Sequence, residues 1–87
     1  MALTSGTNTV GTVASQIDGI SVMPMRLFIH NDDNTDAVFL GANNVTTSTG
    51  FRLSKGIIFE IILNPLEELF AVSSKSGHVI SWMRQTL

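Results

Sequence analysis

Hydrophobic and polar positions along this chain alternate in short runs, which is the period of β-strands; no run of 3.6-residue periodicity is long enough for a packed helix. The clearest run is Ile57 to Leu63, IIFEIIL, closed by Asn64-Pro65, because proline restricts the residue before it and cannot donate to a ladder. Upstream, Thr, Val and Ile dominate Val10 to Ile17, with Val13 and Ile17 expected inward and a turn expected at Asp18-Gly19. The segment Met23 to Asp32, MPMRLFIHND, starts at a proline and places Leu27 and Ile29 on one face and Arg26, Phe28 and His30 on the other. The turn formers Asn31 to Asp36, NDDNTD, followed by the short strand Ala37 to Leu40, predict a hairpin.

Val38 to Leu53, VFLGANNVTTSTGFRL, is an apolar strand that runs into glycine, asparagine, threonine and serine, the profile of a shaped surface loop on a β scaffold. Ser54-Lys55-Gly56 supplies a turn into Ile57 to Leu63. Leu66 to Leu69, led by Pro65 in PLEEL, predicts either one helical turn, with proline first and two acids near a helix N-terminus, or a plain turn or short 3₁₀ segment. Leu69 to Ser73, the turn Lys75-Ser76-Gly77 and His78 to Arg84 read as a C-terminal hairpin. The sum is an all-β chain: a small antiparallel β-sandwich or jelly-roll-like barrel of six to seven short strands. Residues 1 to 9 are small and polar and predict a flexible N-terminal arm, with 10 to 87 forming a single β domain.

Two strands carry more apolar residues than one interior can use. In Ile57 to Leu63, Ile57, Phe59, Ile61 and Leu63 fill one face, while Ile58 and Ile62 flank Glu60 on the other. A half-solvated antiparallel strand should instead alternate apolar with polar. The last strand repeats the feature, with Val79 and Met83 on one side and Ile80 and Trp82 on the other. Ile58, Ile62, Ile80 and Trp82 are therefore expected at contacts with another chain. The loop residues Gly41, Asn43, Asn44, Thr46, Thr47, Gly50, Phe51 and Arg52 are expected to form an exposed docking edge.

Composition sharpens this picture. The 87 residues are 44% hydrophobic and only 14% charged, rich for so small a surface-dominated chain. No cysteine is present, so neither a disulfide nor a thiolate can supplement the core, and association with further copies is the simplest supplement. The formal net charge is −2, and the five cations Arg26, Arg52, Lys55, Lys75 and Arg84 stand singly, which disfavours direct nucleic-acid binding. The first residues lack the pattern of a secretory signal, and Gly56 to Leu63 is far shorter than the roughly 20 residues of a membrane span, so a soluble chain is expected.

Candidate chemistry is sparse. His30 and His78 are the only groups whose ordinary pKa lies near neutrality, and His30 is within reach of Asp32 or Asp33. Asp32, Asp33 and Asp36 lack the glycine and spacing of a calcium loop, so turn chemistry is the expectation and no metal or cofactor is predicted. No nucleophile elbow or phosphate loop occurs, and adjacent Glu67 and Glu68 diverge in any regular element. Phe51, Arg52 and Trp82 are the residues from which a sugar-binding platform would be built. An enzyme is not expected.

The segments VFLGANNVTTSTGFRLSKG and LFAVSSKSGHVIS resemble a recurrent stretch of small virion structural proteins of tailed bacteriophages, through Phe39, Gly41, Val45, Thr46, Gly50, Leu53 and Gly56, then Phe70, Ala71, Val72, Ser73 and Gly77. The preceding RLFIHN is similar to the strand that pairs into the same sheet, so the likeness spans about residues 26 to 81. Phe39 and Phe70 stand where tyrosine is frequent, and Arg52 where proline is. The resemblance implies a sandwich or jelly-roll-like fold, no catalytic activity and a place on a symmetric particle. The expected function is a capsid decoration or cement protein, a homo-oligomer with trimer first. It would be assembled in the bacterial host cytoplasm and would contact the major capsid protein or other virion proteins. The alternatives are a tail, fibre or head-to-tail connector component, and a carbohydrate-binding module for host recognition.

Overall fold

Alternation in MRLFIHN puts Met25, Leu27, Ile29 and Asn31 inside and Arg26, Phe28 and His30 outside, and that strand becomes the scaffold for its neighbours. The computed structural model describes residues 3–18 and 22–87 and is all-β, with no helix among them. Its strands are β1 (Leu3–Val10), β2 (Ser15–Ile17), β3 (Met25–Asn31), β4 (Val38–Gly41), β5 (Phe51–Leu53), β6 (Ile58–Leu63), β7 (Leu69–Ser73) and β8 (His78–Thr86). They form two antiparallel four-stranded sheets, sheet I in the order β1-β8-β3-β6 and sheet II in the order β2-β7-β4-β5. Two facing sheets with these orders are a jelly-roll sandwich. The core between them is Val10, Ile17, Met25, Leu27, Ile29, Val38, Leu40, Leu53, Leu63, Leu69, Ala71 and Ile80, with Phe59, Ile61 and Trp82 packed against it.

Eight strands appear where six to seven were expected, and the eighth comes from the polar N-terminal stretch. From Leu3 onwards the expected arm is β1, paired residue by residue with β8 from Leu3 opposite Gln85 to Val10 opposite His78. Its only core side chain is Val10, so backbone pairing and Asn8 hold it in place. The Asn8 side chain donates to the Gln16 carbonyl at 3.1 Å and accepts from the Trp82 indole at 3.2 Å. Val13, expected inward, is exposed in the β1–β2 connection, while Ile17 is buried as expected. The turn expected at Asp18-Gly19 lies partly outside the described residues.

Both expected hairpins are instead crossings between sheets. β3 belongs to sheet I and β4 to sheet II; β7 belongs to sheet II and β8 to sheet I. The turn residues are where they were expected, but six residues between Asn31 and Val38 easily bridge the roughly 10 Å between stacked sheets. Pairing partner, which turn chemistry does not encode, decides the topology. Leu66 resolves the other turn: its φ of +66° excludes a helix. With Pro65 before it and the Glu67 amide donating to the Asn64 carbonyl at 3.0 Å, Asn64 to Glu67 is a type II turn.

At one end of the sandwich a buried polar network ties the sheets together. Asn31, His78 and Ser73 are all fully buried. The Asn31 side-chain amide donates to the carbonyls of Asp36 and Leu53, both at 3.0 Å, so its oxygen is the acceptor facing the Asp33 amide at 3.1 Å and His78 Nε2 at 2.7 Å. Nε2 therefore carries the imidazole proton, and Nδ1 accepts from the Ser73 hydroxyl at 2.9 Å. Ser73 Oγ accepts in turn from the Lys75 amide at 3.3 Å. Every hydrogen-bonding site of the Asn31 amide is used, which is what makes a buried polar residue tolerable.

Burial pushes the His78 pKa below its ordinary value, so the unfolded chain binds the extra proton first as pH drops. The stability from neutral His78 is complete above about pH 6.5 and is lost as pH falls through the folded-state pKa. Urea midpoints measured from pH 8 to pH 5 should decline accordingly, and His78→Phe should remove that slope while lowering stability at pH 8 by about 1–3 kcal/mol, because Asn31 and Ser73 lose a partner. At the type II turn, Leu66 is 62% exposed and has little buried area to lose, so Leu66→Gly should raise stability by about 0.5–1 kcal/mol through relief of the left-handed backbone. Chemical denaturation of the two proteins side by side reads this directly.

Candidate functional site

Because the strands of sheet I pair without a bulge, their residues line up in straight rows. On the outer face one row is Leu3, Gln85, Arg26 and Ile62; the next is Ser5, Met83, Phe28 and Glu60; the third is Thr7, Ser81, His30 and Ile58. Apolar and polar residues are mixed, but the apolar ones are large and uncovered. Ile58 is 66% exposed and Ile62 53%, both on edge strand β6, with half-buried Phe28 beside them and exposed Met83 beyond. A shallow groove of about 260 Å³ is lined by Phe28, His30, Ile58, Ser81 and Met83, with Trp82 contributing. The Arg26 guanidinium meets the Glu60 carboxylate at 3.1 Å, so the one charge of β6 on this face has a partner within the sheet.

The residues expected at contacts divide. Ile58 and Ile62 are on the open outer face. Ile80 is completely buried in the core, and Trp82 faces inward against Gly6, so neither belongs to that face. Val79 and Met83 take the exposed positions of β8 instead. Both alternating sets of β8 are apolar, so the sequence alone does not choose between them. The pairing with β3 does, since Ile29 stands opposite Trp82 and Phe28 opposite Met83. Exposed Leu3, Val79 and Met83 and half-buried Phe28 complete this face; Val79 with Met83 and Phe28 with His30 were each expected on one face of their strands but not at a contact, and Leu3 fell in the expected arm.

The Gly41 to Arg52 segment is a self-bonded loop, not a pliant one. Its apolar anchor is Val45, buried between the ends of β4 and β5. Gly41 and Gly50 are small because of close approach: a Cβ on Gly50 would lie 2.6 Å from Phe39 Cβ and 2.9 Å from Val45 Cγ2, and one on Gly41 2.8 Å from Val45 Cγ2. Thr46 organises the turn, its carbonyl accepting from the Gly50 amide at 2.9 Å and its hydroxyl oxygen from the Ser48 and Thr49 amides, both at 3.2 Å. Asn43, Asn44 and Thr47 are exposed on it. Phe51 and Arg52 are exposed on β5, and the Phe51 ring packs on Phe59 with centroids 5.2 Å apart. Trp82 is inside the sandwich, so the three residues of the sugar-platform reading are not brought together.

Polar groups at the groove rim are arranged for structure. His30 Nδ1 is hydrogen-bonded to the Asp32 carboxylate, which also accepts from the Ser81 hydroxyl at 2.9 Å; the hydrogen bond from His30 is the leading cause that lowers the Asp32 pKa. Serine, histidine and aspartate thus meet, but with the carboxylate in the middle. A nucleophile needs its hydroxyl on the imidazole, and here it donates to the acid. Asp33 is consumed by its own turn, accepting from the amides of Thr35 and Asp36 at 3.0 and 2.7 Å and from Lys75 Nζ at 2.7 Å. These bonds, the Lys75 one foremost, hold its carboxyl far below the usual range, and the bond to Asp33 is the leading cause that raises the Lys75 pKa. The lysine ammonium sits where a cation would, and among the described residues no group of three or more acids, histidines or cysteines is placed to hold a metal ion.

No protein-family model matches the chain, and no curated protein does. A solved structure of Bacillus endospore appendages, described as a family of disulfide-linked pili, is similar in fold: the TM-score is 0.57 at 15% identity, over 99% of this chain and 86% of that one. These 87 residues contain no cysteine, so no disulfide can be formed through them.

Close approach in the loop gives a direct test. Gly50→Ala should destabilise by about 1–3 kcal/mol, since the neighbours that a new methyl meets include backbone and a fixed Cβ. Gly11→Ala, where nothing lies within 4 Å, should stay within about 0.5 kcal/mol of the parent. Thermal or urea unfolding of both variants checks the contrast.

Proposed function

We propose that this chain is a non-enzymatic structural subunit of a virion, built into a decoration or cement layer on a capsid as an assembly of identical copies. The observation that carries the reading is the uncovered apolar surface of sheet I, where Ile58, Ile62, Phe28 and Met83 lie on one face of an 87-residue domain. Exposed apolar patches of this kind mark interaction sites, and small domains gain most from covering them. Repetition on a symmetric surface turns a modest affinity per contact into firm attachment. The resemblance to phage virion proteins supplies the particle, and the fold likeness to a pilus subunit is compatible with self-assembly.

A tail, fibre or connector component has the same surface requirement and differs in copy number. Sugar binding is disfavoured by the burial of Trp82 and the pairing of Phe51 with Phe59.

Sedimentation velocity at micromolar concentration should show a species larger than a monomer. Ile58→Glu with Ile62→Glu should shift assembly to at least tenfold higher concentration, because both positions flank Glu60 on edge strand β6 and a contact there would gather three carboxylates. A well-folded wild-type monomer would sink the proposal. Gold-labelled antibody on virions should decorate heads densely; sparse label at one vertex or along a tail would select the tail or connector reading.

A further inference from the structure

The two edges of sheet I are β1 and β6, and both are long and lightly guarded: β1 carries no charge and no proline, and β6 carries one charge, the half-exposed Glu60 paired with Arg26. Sheet II ends in three-residue strands, which are short enough to be poor templates. The phase of the free edges follows from hydrogen bonding. The Asn31 amide donates to the Ile57 carbonyl at 3.2 Å, so alternate residues Phe59, Ile61 and Leu63 turn their amides toward β3. Ile58, Glu60 and Ile62 therefore direct their N–H and C=O groups out of the sheet. Carried across β3 and β8, the same alternation leaves Leu3, Ser5, Thr7 and Thr9 pointing out at the other edge.

The outward residues of both edges lie in the same rows: Ile62 with Leu3, Glu60 with Ser5, Ile58 with Thr7. With four antiparallel strands, β6 and β1 also run in opposite directions. A second copy placed beside the first without inversion thus presents β1 antiparallel to β6, with donors facing acceptors. We infer that sheet I continues from copy to copy through β6 of one and β1 of the next, pairing Ile62 with Leu3, Glu60 with Ser5 and Ile58 with Thr7. Each pair exchanges two hydrogen bonds, and Ile62 and Leu3, 53% and 66% exposed in the single chain, cover each other. Pairing β6 with β6 is disfavoured, because a symmetric register centred on this strand brings two Glu60 carboxylates together. The contact is heterologous, so it closes into a ring or continues as a filament according to the twist between copies. This inference rests on the self-assembly proposed above and names its contact.

The absence of cysteine makes the test clean. Leu3 and Ile62 of one chain lie three strand spacings apart, about 14 Å, beyond disulfide reach, whereas a hydrogen-bonded pair between copies has Cα atoms about 5.5 Å apart. Under mild oxidation at an assembling concentration, Leu3→Cys with Ile62→Cys should give a covalent ladder, ending at the ring size or running on. Either single variant alone should stay monomeric on a denaturing gel. Ser5→Pro, which removes an outward amide and none of the bonds to β8, should keep the circular dichroism and abolish assembly. Efficient dimers from Ile62→Cys or Leu3→Cys alone, or assembly that persists without any ladder, overturn the edge pairing and leave self-assembly standing. A wild-type protein that sediments as a monomer removes both.

Discussion

The buried bond between Asn31 and His78 is the constraint on which the rest of this sandwich depends. Asn31 ends β3, and His78 opens β8. Their side chains also reach the Asp36 and Leu53 carbonyls and the Ser73 hydroxyl, so one network holds both sheets at the same end. Apolar packing is non-directional and tolerates sliding. A buried amide with all its sites used does not, because a shift by one residue would leave several polar groups unpaired in the interior. The straight rows of sheet I are thus set by chemistry at the top of the strands as well as by the pattern along them.

How far the sequence spoke depends on which question is asked. Strand identity was legible in Met25–Asn31 and Ile58–Leu63, since alternation and proline placement act locally. Partner choice was not. NDDNTD is a good turn whether its flanking strands pair or part, and the chain uses it to cross between sheets. β8 was legible as a strand but not as to face, because Val79, Ile80, Trp82 and Met83 fit either side; the register against β3 decides. β1 was hidden for another reason, namely that LTSGTNTV is held by backbone pairing and by Asn8, neither of which leaves a hydrophobic trace.

The candidate surface was partly legible for a related reason. Ile58 and Ile62 were conspicuous because an apolar pair flanked Glu60 where a polar face was due. Glu60 looks like a lone solvating charge in the sequence, whereas the structure pairs it with Arg26 of the neighbouring strand.

Trp82 lies with its indole over Gly6 and its ring N–H on Asn8, both in β1, and it is the only tryptophan in the chain. A side chain at position 6 would displace the ring. The chain therefore carries a built-in optical gauge: the emission of one indole depends on whether the first strand is seated. Fraying of the N-terminal strand is thereby separable from global unfolding without any added dye.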